Sequence, residues 1–235
     1  MGEYYRERLS ARRLERVYEI APPRVRRYLN AEIEHVLANV APADTVLELG
    51  CGYGRALEPL ARKVKRAYGI DTSFESLAYG RETLARLPHC HLVQMDALRL
   101  GFPDGAFDCA VCIQNGISAF HADARELVRE AVRVTRAGGL VLFSSYSSAF
   151  WDHRLEWFEL QAREGLVGAI DHARTRHGVI VCTDGFTATT VGADQFMDIA
   201  RDIGVGARVV EIDSSSIFCE IVPDAPSSRG SRGDE

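Results

Sequence analysis

No stretch of this 235-residue chain is apolar for long enough to span a bilayer. Its opening residues, Met1-Gly2-Glu3-Tyr4-Tyr5-Arg6, are charged where a secretion signal would be hydrophobic. Both absences lead to the expectation of a cytoplasmic protein with no membrane partner. Six cysteines, most of them inside apolar segments, are too dispersed for a disulfide framework and read as reduced, buried thiols. The one close pair, Cys109 and Cys112, is three apart on an expected strand, so its side chains face opposite sides and cannot chelate one ion without distortion. No metal is expected. No internal repeat is evident, which excludes a solenoid.

Net charge is −5, but it is uneven: residues 1–30 hold eight Arg against four Glu, a local +4 that leaves −9 for the rest. The basic arm fits an anionic partner, a small acid or a nucleic acid, and equally a solvated helix face with internal ion pairs. With 46% hydrophobic residues the chain can bury one good core with appendages.

Leu9, Leu14, Val17, Tyr18 and Ala21 recur at helical spacing until Pro22-Pro23 interrupts, and Val25, Leu29, Ile33, Val36 and Val40 predict a second helix over 24–39. Thr45 to Leu49 is a strand, followed by a helix from Arg55 to Lys65. Thr72-Ser73-Phe74-Glu75 matches a capping box for a helix running to about Leu87, before Pro88. Asp123-Ala124-Arg125-Glu126 opens another, which Gly138-Gly139 ends to release the strand Leu140 to Tyr146. This alternation predicts a parallel sheet. Residues 147–191 add a helix from Trp151 and a hairpin turning at Asp184-Gly185. The division expected is a helical arm or lid (1–40), a core (41–146), an inserted cap (147–191), the remainder of the core (192–223) and a disordered tail (224–235).

The most informative run is Val46-Leu47-Glu48-Leu49-Gly50-Cys51-Gly52-Tyr53-Gly54-Arg55, an apolar strand that ends in an acid and breaks into alternating glycines. Such a turn lets the backbone lie directly against a ligand. A dinucleotide fingerprint fails in both registers, because Arg55 or Leu57 stands where the last glycine belongs, and no Lys-Ser/Thr pair follows for a phosphate.

Residue for residue, the run resembles the E/D-x-G-x-G-x-G signature of class I S-adenosylmethionine-dependent methyltransferases. Asp71 closes the next apolar segment, with Thr72 beside it, and Asp96 with Ala97 closes the one after. The resemblance implies an α/β, Rossmann-like fold: a mostly parallel seven-stranded sheet with an antiparallel edge strand, plus the arm and the cap. It implies S-adenosyl-L-methionine as cofactor, with the amides of Gly50, Cys51, Gly52 and Gly54 and the Glu48 carboxylate at its methionine end. Asp71 and Thr72 would serve the ribose, and Asp96 and Ala97 the adenine. Gln114-Asn115-Gly116-Ile117-Ser118-Ala119-Phe120 is similar to the turn of small-molecule methyltransferases of the glycine and sarcosine type, and would put Gln114 or Asn115 beside the cofactor's amino group. The Asp/Asn-Pro-Pro-Tyr/Phe stretch of many base-modifying members is absent, which argues against a nucleic-acid acceptor.

A small-molecule acceptor is therefore expected, held by Tyr4, Tyr5, Asn115, Tyr146, Trp151, His153 and Arg154. Tyr146 and His153 are the candidate bases, should the acceptor have to lose a proton. Three alternatives stay open: an RNA acceptor bound by the arm, thiol-assisted methylation of a metalloid, and a cofactor-binding module without transfer activity. The sequence is compatible with a monomer or a homodimer.

Overall fold

The computed structural model describes residues 3–225. The expected disordered tail lies, from residue 226 on, outside the described residues. The arm consists of α1 (Glu3–Glu7), α2 (Ala11–Glu19) and α3 (Pro23–Ala38). The helix expected over residues 5–20 is interrupted at Ser10, because tertiary bonds win there: the Ser10 hydroxyl donates to Glu75 (2.9 Å) and the Ala11 N–H donates to the Ser76 hydroxyl (3.0 Å). Pro23 opens α3 from its first position, where a fixed φ suits the helix and a missing N–H costs nothing. Its buried stripe is Val25, Tyr28, Leu29, Glu32 and Val36, apolar except for one acid.

The core then alternates β1 (Thr45–Leu49), α4 (Leu57–Lys63), β2 (Arg66–Asp71), α5 (Phe74–Thr83), β3 (Cys90–Gln94), β4 (Phe107–Cys112), α6 (Gly116–Ala119), α7 (Ala124–Val134) and β5 (Thr135–Tyr146). The cap adds α8 (Trp151–Arg163) and a short hairpin, β6 (Ile180–Val181) and β7 (Thr187–Ala188), turning at Asp184-Gly185. The chain returns through α9 (Ala193–Ile203), β8 (Ala207–Ile212) and β9 (Ser216–Ile221). Seven strands form one sheet in the order β3-β2-β1-β4-β5-β9-β8. All neighbours are parallel except β5–β9 and β8–β9, so β9 is the reversed strand, beside the edge strand β8.

Two local expectations are corrected. Ser73, not Thr72, caps α5, its hydroxyl accepting from the Ser76 N–H at 3.2 Å. Gly138-Gly139 does not end a helix: α7 stops at Val134, and Thr135 is drawn into β5 by pairing with Phe107. A Cβ on Gly139 would come within 2.6 Å of the Asp108 carbonyl, which is why the irregular start of β5 needs a glycine there.

Three apolar clusters hold the molecule together. Two lie on the opposite faces of the sheet, and Cys112 packs in one while Cys109 packs in the other, as their spacing requires. The third joins arm to cap: Leu9, Val17 and Tyr28 pack with Tyr146, Trp157 and Phe158. The Trp157 indole also donates to the Val17 carbonyl at 3.0 Å. Each such side chain, fully buried, contributes about 1.5–3 kcal/mol. Arm and cap are thus one structural unit, roofing the ends of β1, β2 and β4, where the strand order reverses between β1 and β4 and a crevice opens.

Candidate active site

Below that roof lies a cavity of ≈ 130 Å³. One water fills roughly 10–15 Å³ on this scale, so the space suits a small organic ligand rather than a packing defect.

The floor is the turn after β1. Gly52 and Gly54 adopt φ of +55° and +89°, and a Cβ on either would press within 2.9 Å of Leu14 or 2.6 Å of Leu84. Asp71, at the end of β2, is 2% exposed, and its two oxygens accept from the N–H groups of Gly52 and Ser73, each at 2.8 Å. Burial raises its pKa, and those backbone donors counter the rise. Gly50 and Cys51 both donate to the Ile70 carbonyl (2.9 Å each), and Gly54 donates to the Cys51 carbonyl (2.8 Å). The glycine-turn amides expected to receive a ligand are therefore already engaged within the protein.

Two ionisable side chains on this floor keep polar atoms without partners. Glu48 is 5% exposed, with Oε2 lacking a hydrogen-bond partner; burial pushes its carboxyl up to about 8 against the pull of Arg55. Arg55 has Nε and Nη2 buried without partners, and its guanidinium lies 4.5 Å from the centre of the Tyr18 ring on α2. Gln114 Nε2, on the same cavity, is also unpartnered.

The turn after β4 forms one side. Gln114 and Asn115 take φ of 58° and 59°, left-handed values uncommon for residues other than glycine. Surrounding bonds hold them there. Glu32 on α3, wholly buried, accepts from the Gln114 N–H (2.6 Å) and from the Ser216 hydroxyl. Desolvation pushes the Glu32 carboxyl up to about 7, in spite of these donors. Asn115 Oδ1 accepts from the Ser145 and Ser118 hydroxyls (2.7 and 3.1 Å), while Nδ2 donates to the Thr189 carbonyl (2.9 Å). Asn115 thus ties the β4 turn to β5 and to the exit from the cap.

The remaining wall is aromatic: Tyr5 and Tyr18 from the arm, Tyr146, Trp157 and Phe158 from β5 and α8. Burial pushes the Tyr146 hydroxyl up to about 12, so it is a neutral phenol near neutral pH. Arg154 is 1% exposed and sits 4.4 Å from the Tyr146 ring centre, bonded to the Thr189 carbonyl (3.1 Å) and the Thr190 hydroxyl (3.2 Å).

Of the residues expected from sequence, Glu48, Gly50, Cys51, Gly52, Asp71, Gln114, Asn115, Tyr5 and Tyr146 line the cavity. Gly54 packs beneath it on Leu84. Asp96 is exposed and caps its own turn through the Leu98 N–H (3.0 Å), and Ala97 is buried in the core, so neither reaches the cavity. Thr72 lies outside it, its carbonyl accepting from Gln94 at 3.0 Å. Tyr4 fastens the arm to the hairpin through Asp184 (2.6 Å). Trp151 packs on His177, and His153 is half-buried on α8, with Glu156 3.9 Å away. Arg154, Trp157 and Phe158 form the buried side of α8, and His153, one turn before Trp157, flanks it with its ring 5.6 Å from that of Phe150, outside the cavity lining.

Sequence reasoning missed Glu32, Arg55, Tyr18, Trp157 and Phe158. Glu32 had a signal, an acid three residues after Leu29 and four before Val36 on an apolar stripe. Arg55 was visible only as the residue that broke a dinucleotide fingerprint.

Among the described residues no group of three or more His, Cys, Asp or Glu could hold a metal, and no helix is long and apolar enough to cross a membrane. Burial pushes the thiols of Cys90, Cys109 and Cys219 up to about 12, far from the thiolate that metalloid chemistry needs.

Residues 46–139 match a family model described as a methyltransferase domain. The chain is 34% identical to the malonyl-[acyl-carrier protein] O-methyltransferase of a Marinomonas species, over 52% of this chain and 46% of that protein. It is 29% identical to an uncharacterized protein of a Streptomyces fradiae transposon, over 75% of this chain and 47% of that one. The chain spans about half the length of the curated relatives it matches. A solved S-adenosylmethionine-dependent methyltransferase from Methanosarcina mazei superimposes with a TM-score of 0.60 at 19% identity, covering 82% of this chain and 98% of that one, a likeness of fold. Strand order and glycine turn agree with that match: residues 46–139 carry a methyltransferase domain, on the sheet of the class I S-adenosylmethionine-dependent methyltransferase fold.

Proposed function

We propose that the protein transfers a methyl group from S-adenosyl-L-methionine to a small-molecule acceptor held between arm and cap. The observation that carries this reading is the polarity of the cavity beneath the roof. Its floor gathers buried polar atoms without partners, on Glu48, Arg55 and Gln114, while its far wall is aromatic. An unpartnered buried polar atom costs about 1–3 kcal/mol, and several around one space fit a polar ligand that completes them. The donor set therefore suits this cofactor.

When bound, S-adenosylmethionine supplies an electrophilic methyl group on a sulfonium. Asp71 would hold the ribose hydroxyls with the lone pairs its backbone donors leave free. The ring of Phe74, 61% exposed beside it, is available to stack on adenine. Leu9, Leu14 and Val17 close the cavity from above and exclude water, which favours an aligned displacement. Tyr146, as a neutral phenol, orients the acceptor by donating a hydrogen bond rather than by removing a proton. The aromatic wall suits a planar or apolar acceptor, and the Marinomonas relative is named for a small acyl acceptor on a carrier.

An RNA acceptor is less well supported, because the arm's arginines are engaged at home. Arg16 pairs with Glu164 (2.9 Å), Arg24 and Arg27 pair with Asp213, and Arg13 donates to the Gly165 carbonyl (2.8 Å). Calorimetry with S-adenosylhomocysteine should give one site per chain; folded protein that binds none would reject the reading.

A further inference from the structure

The amino-acid end of the cofactor is a zwitterion, and the glycine turn has little left to offer its carboxylate. The N–H groups of Gly50, Cys51, Gly52 and Gly54 all donate within the protein. A carboxylate placed there needs another donor.

Arg55 is that donor in kind and in place. It ends the glycine turn, lines the cavity, and keeps Nε and Nη2 buried with no partner. A guanidinium on an ordinary surface turns outward to water; this one is covered by the Tyr18 ring, 4.5 Å away. Glu48 stands on the same floor with Oε2 unpartnered, yet among the described residues no ion pair joins it to Arg55. An acid that burial keeps largely protonated and a guanidinium, both desolvated, fixed and kept apart, are a costly arrangement for an empty site; the ammonium of a zwitterion would draw the acid to its charged form while the guanidinium meets the carboxylate. The position of each is set by a rigid element. Glu48 is on β1, in register with Gly69 of β2 and Val111 of β4. Arg55 follows three left-handed glycines directly.

We propose that Arg55 receives the carboxylate of the cofactor's α-amino-acid group, opposite Glu48, which the resemblance already puts at the methionine end. The assignment rests on the methyltransferase reading above. It also places Tyr18, and so the arm, over the guanidinium that the carboxylate engages.

The test compares two ligands on one protein by calorimetry: S-adenosylhomocysteine, and 5′-methylthioadenosine, which keeps the adenosine and the thioether but lacks the amino-acid end. Arg55→Gln should weaken the first by about 10- to 100-fold, the worth of a charge-assisted fork, and change the second by less than about 3-fold. Arg55→Lys, which keeps the charge but loses the fork, should fall between wild type and Arg55→Gln, and it carries the comparison if Arg55→Gln proves unfolded by thermal melting. Equal weakening of both ligands would overturn the proposal by making Arg55 a prop for the turn or the arm, and so would an unchanged affinity for S-adenosylhomocysteine. Wild-type protein that binds neither ligand would overturn the methyltransferase reading and this assignment together. Wild-type binding with no selective loss in the variants overturns only the assignment.

Discussion

The two ends of the cavity are made in opposite ways. The floor comes from strand ends and the turns that follow them: Glu48, the glycine turn and Arg55 after β1, Asp71 after β2, Gln114 and Asn115 after β4. Its groups are polar, positioned by sheet register, and several lack a partner. The roof is drawn from segments far apart in the chain, with Tyr5, Val17 and Tyr18 near the start and Tyr146, Trp157 and Phe158 more than a hundred residues later. It is apolar and holds itself together by burial. Under the proposed function the difference teaches that donor recognition is built into the sheet, whereas the acceptor's surroundings depend on how arm and cap pack. A fold that fixes the donor leaves the acceptor free to vary.

That contrast can be broken at either end. The largest effect should come from Gly52→Arg, which forces a side chain onto a backbone at φ +55° and into Leu14. S-adenosylhomocysteine binding should drop below detection by calorimetry, by at least about 1000-fold, or roughly 4 kcal/mol. Retained binding would mean that the floor is not where the donor sits. Next, Trp157→Ala removes the aromatic that joins arm to cap and should cost about 3–5 kcal/mol of stability, read as a lowered Tm. If the melting curve does not move, arm and cap do not share a core.

A smaller effect is the pH dependence of stability. Burial raises Glu32 to about 7 and Glu48 to about 8 from the ordinary 4.5. Between about pH 5 and 8 the folded chain thus keeps protons that the unfolded chain has released, so stability is greatest below this range and falls as pH rises through 7 and 8. Arg55 faces both carboxyls and opposes the rise, while Asp71 adds to it at Glu48. Denaturant unfolding at pH 5.5, 7 and 8.5 should show the decline, and Glu32→Gln should make it shallower; a stability that climbs with pH would contradict the burial argument. The smallest effect is expected for His153→Ala. Half-buried against Phe150 but outside the cavity lining, His153 should cost no more than about 1 kcal/mol of stability when truncated and leave turnover unaltered, and a large loss of rate would return it to the site.

How much could be read from sequence follows the same division. β1 and the glycine turn were legible because an apolar run, an acid and spaced glycines are contiguous, and Asp71 because it ends the next such run. β1 was predicted at its observed limits, Thr45–Leu49. Glu32 was not legible as a site residue, since its partner Gln114 is 82 positions away and meets it only when α3 packs on the end of β4. Arg154 was expected to hold the acceptor; its burial against Tyr146 and the cap carbonyls depends on the shared core of arm and cap. The start of β5 escaped because pairing of Thr135 with Phe107 overrode the helix-ending meaning of Gly138-Gly139. Asp96 and Ala97, implied by resemblance, lie outside the cavity because Asp96 serves its own turn.

The central claim is that this cavity moves a methyl group from the donor on its floor to a small acceptor beneath its roof. Its most direct test is incubation of the wild-type chain and Gly52→Arg with methyl-labelled S-adenosylmethionine and a metabolite extract, followed by separation by size. Label should appear in a low-molecular-weight product with the wild type and not with the variant. Label confined to RNA or protein, or no transfer by a wild-type chain that binds S-adenosylhomocysteine, would contradict it.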